Sequence, residues 1–235
     1  MDWYVRATMS SLRWLRAVSA LPVALAALSL TASLSLFAGS AARAAETPPP
    51  ANSSPMAELK RSNAQLDKVL QKNKPNWSPE AELERSEVRK LVGSFLDYAE
   101  LAKRSLGKNW EKITAKQRDE FVDTLRQLVE RSYLKQVHGS PNYNIKYDKE
   151  EKTGSEADVT ATLNTVSRGK KTKVALEYKM LWKEGHWLVY DVITDEQSML
   201  ENYRAEFSKI INRDGFDALL KKMRKKLDEK EDDSE

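Results

Sequence analysis

Apolar residues along this chain follow two repeat lengths, first helical and then strand-like. In the first half they recur every three or four positions, which is the spacing of one face of a helix. Ser54-Pro55 and Ser78-Pro79 have the form of helix starts, and Thr114 to Gln117 has the T-x-x-Q form of a capping box. The sequence therefore predicts four helical stretches, the third ending at Gly107 and the fourth at Gly139.

After Pro141 the apolar spacing becomes two, which is the period of a half-buried strand. Three such segments are Tyr143 to Tyr147, Val159 to Leu163 and Val174 to Trp182. A fourth, Trp187 to Ile193, is apolar on both faces except at Asp191, so we expect it to be central and covered by helices. Two closing helices follow, separated by Gly215. This order predicts an α+β fold: a curved antiparallel sheet of about four strands, covered by N-terminal and C-terminal helices in a single domain.

The first 44 residues have the layout of a secretory signal peptide. Their start is basic, the run from Ala17 to Ala38 is uncharged, and Ala42-Arg43-Ala44 offers small residues at the two positions that a signal peptidase reads. The uncharged run is also long enough for an uncleaved membrane anchor, which remains the alternative. We expect cleavage and a periplasmic protein. The predicted segments are a signal peptide at 1–44, a linker at 45–54, a single domain at 55–227 and a charged tail at 228–235.

The basic charge of the chain belongs mostly to that predicted signal. The whole sequence has a formal net charge of +4, and residues 1–44 hold four Arg and one Asp, which leaves +1. No dense basic face remains for a nucleic-acid partner. Without cysteine no disulfide supports the fold, and with only His138 and His186 the sequence predicts no metal and no cofactor. We expect a monomer that is stabilised by its core.

Two long segments, Phe95 to Tyr133 and Val174 to Met223, share a family pattern. Its most distinctive positions are Asp97, Leu106-Gly107, Trp110, Gln117, Phe121, Tyr133, Tyr178, Trp187, Tyr190-Asp191-Val192, Ser198, Asn202, Tyr203-Arg204, Phe207 and Gly215. In this pattern residues 55–227 resemble the MlaC, or toluene-tolerance, family of periplasmic phospholipid-binding proteins. One departure is Glu196, because the family usually has glycine before the serine corner.

The resemblance implies a carrier that moves one phospholipid between an inner-membrane ABC transport complex and an outer-membrane lipoprotein complex. Each buried methylene represents about 0.8 kcal/mol, so head-group contacts alone cannot hold two acyl chains and an apolar cavity is needed. We expect the inner face of the sheet and the helices over it to form that cavity. The residues expected to line it are Tyr98, Leu101, Tyr133, Val159, Leu163, Leu176, Tyr178, Met180, Val189, Tyr190, Val192, Ser198 and Met199.

Other interpretations of the same residues stay open. Each expected lining residue also fits ordinary core packing, and Asp191 in an apolar strand more often anchors a neighbouring backbone. Arg204 either meets a phosphate or pairs with Asp191 or Asp97. The competing function is a small periplasmic hydrolase or isomerase in which Asp191 exchanges protons with Tyr190 or Tyr178. A third is an interaction protein with a closed core.

Overall fold

The computed structural model describes residues 47–72, 79–139, 143–167 and 170–228. The predicted signal peptide and the charged tail beyond residue 228 lie outside these ranges. The helices before the sheet are α1 (Pro55–Lys72), α2 (Pro79–Phe95), α3 (Tyr98–Leu106), a 3-10 helix (Gly107–Lys112) and α4 (Ala115–Gly139). The strands are β1 (Tyr143–Thr153), β2 (Glu156–Ser167), β3 (Lys170–Lys183), β4 (His186–Thr194) and β5 (Gln197–Ser198), and α5 (Met199–Asp214) and α6 (Phe216–Asp228) close the chain.

The strands form one antiparallel sheet in the order β1-β2-β3-β4-β5. The predicted α+β class and the antiparallel sheet between two groups of helices are confirmed. The sheet has one strand more than predicted, because the chain turns after β4 and β5 pairs with Ile193 and Thr194. Since β5 is so short, the prediction that β4 is central is wrong over most of its length. There its edge meets the α2–α3 junction, where the backbone N–H of Asp97 donates to the carbonyl of Val189 at 2.8 Å.

A β-bulge between β3 and β4 decides which side chains share a face. Val189 pairs with Met180 and Val192 pairs with Tyr178, which leaves Tyr190 as an extra residue. A bulge bends its strand and interrupts the alternation of side chains. Tyr190 accordingly packs in the helical core and not beside Val189 and Val192.

The main core lies where α3, α4, α5 and α6 meet. At its centre the ring of Phe121 packs against Phe207 and Phe216, with centroid distances of 5.4 Å and 5.9 Å. A second, smaller cluster joins α1 to α2 through Leu66 and two valines of α2. None of the helices described here is long and apolar enough to cross a membrane.

Side-chain caps fix where the helices begin. The predicted capping box is confirmed: Gln117 N–H donates to Thr114 Oγ1 at 3.2 Å, and Thr114 N–H donates to Gln117 Oε1 at 3.0 Å. Asp97 caps α3 in the same manner, and Ser198 caps α5 by accepting a hydrogen bond from the N–H of Glu201 at 3.0 Å.

The turn between β4 and β5 contains two residues in a backbone conformation that favours glycine. Asp195 and Glu196 both have left-handed backbone conformations, with φ of 45° and 67°. Glycine adopts this conformation without steric cost, whereas a side chain is strained there. The turn is therefore formed without glycine, under backbone strain at Asp195 and Glu196.

Replacing that glutamate with glycine is expected to stabilise the protein. Glu196→Gly relieves the strain but loosens the unfolded chain, so the free energy of unfolding should rise by about 0.5–1 kcal/mol. The matched control is Glu206→Gly, which places glycine at an exposed site within α5 and should lower that free energy by about 1 kcal/mol. Urea unfolding measures both, and equal losses would contradict the strain at Glu196.

Candidate functional site

One side of the sheet, which we call the inner face, is apolar across four strands. The pairing of β1 with β2, of β2 with β3 and of β3 with β4 brings its members into register. They are Tyr143, Ile145, Tyr147, Val159, Ala161, Leu163, Val174, Leu176, Tyr178, Met180, Trp182, Trp187, Val189 and Val192. The segment before α1 and α1 itself contact this face at several points, including a hydrogen bond of 3.3 Å from Trp187 Nε1 to Ser53 Oγ.

Burial changes along the inner face from one end to the other. Met180 and Val189 are each 1% exposed, and Leu176 further along is 8% exposed. Leu163 and Ile145, at the opposite end, are only half-buried although they are equally apolar. Val174 of β3, in register with Leu163, is 4% exposed, so the inner face is closed at the Met180 end and partly open to solvent only where β1 and β2 carry Ile145 and Leu163.

Polar side chains of α1 and β1 meet beside this open end, along a line that we call the α1–β1 seam. The hydroxyl of Tyr143 donates to Asp67 Oδ1 at 2.8 Å, and the amide of Asn63 donates to the hydroxyl of Tyr147. The ammonium of Lys60 lies over the Tyr147 ring, 5.5 Å from its centroid. Burial, then the hydrogen bond and charge of Asp67, raise the pKa of Tyr143, so its hydroxyl stays protonated and donates at neutral pH.

The seam contains a small cavity of about 160 Å³. Its lining comprises Lys60, Asn63, Ala64, Asp67, Tyr143, Asn144, Ile145 and Tyr147. None of these was among the residues expected to line a lipid site. The sequence does contain a signal for these residues. The spacing of Lys60, Asn63 and Asp67 places three polar side chains on one face of the first predicted helix, whereas the sequence analysis considered only its apolar positions.

The thirteen predicted lining residues divide into two groups in the structure. Seven share the inner face: Val159, Leu163, Leu176, Tyr178, Met180, Val189 and Val192. Tyr133 of α4 packs beside the Leu66 cluster. Burial, and then the electrostatic interaction with Tyr143 and Tyr178, raise its pKa, which indicates that its hydroxyl lies near these two residues of the inner face. The other five do not join them: Tyr98, Leu101, Tyr190, Ser198 and Met199.

Each of these five has a structural position of its own. Leu101, Met199 and the ring of Tyr98 pack in or against the main core. The hydroxyl of Tyr98 is buried without a hydrogen-bond partner among the described residues. The ring of Tyr190 lies under the guanidinium of Arg104, 4.0 Å from its centroid, and Ser198 is the cap of α5. These five residues therefore do not form part of the inner face.

Asp191 is a structural anchor, as expected for a single aspartate in an apolar strand. It is 4% exposed, and its two carboxylate oxygens accept hydrogen bonds from Ser198 Oγ at 2.6 Å and from the N–H of Leu200 at 2.9 Å. Tyr178 lies on the inner face, whereas Asp191 pairs with Lys179 of the alternate, outer register. The acid–base pair required by the enzyme hypothesis is consequently not assembled from Asp191 and Tyr178.

The pairing predicted for Arg204 is wrong. Its guanidinium donates to the backbone carbonyl of Arg104 at 3.1 Å and to Glu201 at 2.6 Å. Asp97 pairs instead with Lys183, at 2.9 Å. Arg204 thus joins α5 to α3, and both expected carboxylates have other partners.

A larger depression of about 400 Å³ lies on the helical side, between α3, the 3-10 helix and α4. Its lining includes Trp110, Val122, Arg118 and Arg126, and none of the thirteen predicted residues. Within the described part of the chain no three His, Asp or Glu side chains are placed to hold a metal ion.

These features define an α+β domain whose sheet carries a continuous apolar face, closed at one end and open at the other. Residues 60–225 match the MlaC protein family, and the chain belongs to that family. It is 26% identical over 177 residues to the intermembrane phospholipid transport system binding protein MlaC of Haemophilus influenzae, spanning 74% of this chain and 82% of that protein. Its fold matches that of a phospholipid-binding protein from Ralstonia solanacearum, solved in complex with a phospholipid, with a TM-score of 0.58 and 22% identity over 74% of this chain and 96% of the other.

The anchoring role of Asp191 predicts a large loss of stability when its carboxylate is removed. Asp191→Ala leaves the half-buried hydroxyl of Ser198 and the buried N–H of Leu200 without their acceptor, and should lower the free energy of unfolding by about 2–4 kcal/mol. Asp158→Ala is the control, because Asp158 pairs with Lys179 in a partly exposed site and should cost less than about 1 kcal/mol. Urea unfolding followed by circular dichroism measures the two, and similar small losses would show that Asp191 is not an anchor.

Proposed function

We propose that this protein binds a phospholipid, with the acyl chains against the inner face and the head group at its open end. The burial gradient of the inner face carries this proposal. In a closed apolar core, Leu163 and Ile145 would be covered like Met180 and Val189, yet they are half-buried while Met180 and Val189 are each 1% exposed. An elongated apolar ligand that lies along the inner face as far as its open end would cover the half-buried residues.

The chemistry of the site suits a lipid better than a small polar substrate. Acyl chains gain about 0.8 kcal/mol for each methylene removed from water, and the inner face offers side chains without charge to receive them. Polar groups are concentrated at the seam, beside the open end, where Lys60, Asn63 and Asp67 remain in reach of solvent. A phospholipid has the same division between an apolar body and a polar end.

The transport role follows from the family and from the predicted signal peptide. The Haemophilus influenzae relative is described as part of an intermembrane phospholipid transport system. On this basis the present protein carries its lipid through the periplasm between an inner-membrane ABC transport complex and an outer-membrane lipoprotein complex. Because an acyl chain is about equally stable in a bilayer and in an apolar cavity, the direction of transport is set by differential binding to these partners.

The test is lipid extraction and mass spectrometry of the purified protein. The wild type should carry about one phospholipid per chain. Leu163→Asp introduces a charge at the half-buried end of the inner face, where burial without a partner is unfavourable, and should remove most of the bound lipid.

The control for this substitution lies on the same strand. Thr160→Asp places the same carboxylate at an exposed position of β2 that points away from the inner face, and should leave the lipid content unchanged. Circular dichroism confirms that both variants are folded. A wild type without lipid, or equal lipid in both variants, would refute the proposed site.

A further inference from the structure

We propose that the α1–β1 seam is the port through which the phospholipid enters and leaves, and that α1 is the wall that moves. The inference rests on the proposed function, because it names the route into the same site. A route is needed because the inner-face residues furthest from the open end, such as Met180 and Val189, are sealed. Two acyl chains reach them only if one of the covering elements separates from the sheet.

The edge of the sheet along β4 is the wrong place for such an opening. There the N–H of Asp97 is bonded to the carbonyl of Val189 at 2.8 Å, and the buried carboxylate of Asp97 holds the ammonium of Lys183 at 2.9 Å. Separation would leave a buried charge and two backbone groups without partners, which is strongly unfavourable. The helices that follow Asp97 also share the main core.

The edge along β1 is closed in a different way. The hydrogen bonds that join it to α1 each use a side chain: Tyr143 with Asp67, and Tyr147 with Asn63. At the start of α1, the carboxylate of Glu150 accepts from Ser54 Oγ at 2.7 Å and from the N–H of Met56 at 2.9 Å. No backbone-to-backbone hydrogen bond joins α1 to β1 in the described ranges.

These seam groups are half-buried, so water can replace each partner when the seam opens. The apolar contacts of α1 are also replaceable. Within the described part of α1 the buried residues are Pro55, Leu59, Ser62 and Leu66. Leu66 belongs to a cluster of three buried residues, and the main core includes no described residue of α1. Entering acyl chains would take over apolar contacts that α1 gives up.

Crosslinking across the seam provides the test. The chain has no cysteine, so Asn63→Cys with Tyr147→Cys introduces a single reactive pair, to be bridged with a short cleavable thiol-to-thiol reagent. The full chain is loaded from vesicles of phosphatidylethanolamine and phosphatidylglycerol that contain a fluorescent-chain phospholipid, and exchange with unlabelled vesicles is followed. Bridging should slow exchange by about tenfold or more, and cleavage of the bridge should restore it.

The matched control bridges two elements that need not separate. Gln117 of α4 and Asp217 of α6 are also joined by a side-chain hydrogen bond, of 3.1 Å, and belong to neither the seam nor the inner face. Gln117→Cys with Asp217→Cys, bridged by the same reagent, should exchange lipid at the rate of the unbridged protein. If the seam bridge forms and exchange continues at that rate, the port lies elsewhere.

A second pair of variants tests the seam without crosslinking. Tyr143→Phe with Tyr147→Phe keeps both rings but removes the hydroxyls that close the seam, and should speed exchange by about threefold or more. Thr162→Val is the control, since it removes a hydroxyl that bonds to Asp148 at 2.8 Å on the outer side of the same strands. An unchanged rate in the double variant would overturn the port.

These outcomes separate the port from the function. If the wild type takes up lipid but neither the bridge nor the double variant alters exchange, the port is refuted and the lipid site stands. If the wild type takes up no lipid from the vesicles, the proposed function itself fails, and the port fails with it.

Discussion

The buried carboxylate of Asp97 is the interaction on which the arrangement of helices and sheet depends. It caps α3 through the N–H of Glu100 at 2.9 Å, holds Lys183 of β3 at 2.9 Å, and its own N–H is bonded to β4. A charge that is 5% exposed is tolerated only because these donors replace the water it has lost. One residue thereby fixes the start of a helix, the edge of the sheet and the position of the helical core relative to both.

Asp191 of β4 is a second buried carboxylate that joins the sheet to the start of a helix. Through Ser198 and Leu200 it ties β4 to the first turn of α5, directly after the strained turn at Glu196. The middle of β4 is thus joined to α5 by the carboxylate of Asp191 and to the start of α3 by the backbone of Asp97, which makes this side of the sheet costly to separate from the helices. The inner face can then be open at one end without loss of the fold, because the stability of the domain comes from the main core and from these anchors.

The sequence predicted the features that depend on neighbouring residues. The capping box at Thr114 and the strands with alternating apolar residues are examples, because each requires only a few consecutive positions. The number of strands was harder to predict, because β5 forms only a two-residue pairing with β4. The position of β4 was also harder to predict, because it depends on a contact between Asp97 and Val189, which are far apart in the chain. The family resemblance supplied the expected lipid cavity, which the local patterns did not indicate.

The candidate site was predicted to a similar extent and for the same reason. Five of the expected residues, on β2 and β3, share one face because strict alternation holds across these two strands. Tyr190 does not share that face because it is the extra residue of the bulge, and no local feature of the sequence marks the bulge. Asn63 and Asp67 were missed because a search for apolar residues does not consider the polar groups that close an apolar space.

The two long edges of the sheet differ in the kind of interaction that closes them, and this difference bears on how a carrier of this fold works. A protein that holds a lipid against water must have walls that exclude water, yet the lipid must pass through one of them. Walls joined by backbone hydrogen bonds and buried ion pairs are costly to separate, since the groups exposed have no substitute in an apolar interior. Walls joined by half-buried tyrosine, asparagine and carboxylate side chains exchange one set of hydrogen bonds for another with water. The structure combines the first kind along β4 with the second along β1, so the proposed port lies at the edge of the sheet opposite to the one that fixes the fold.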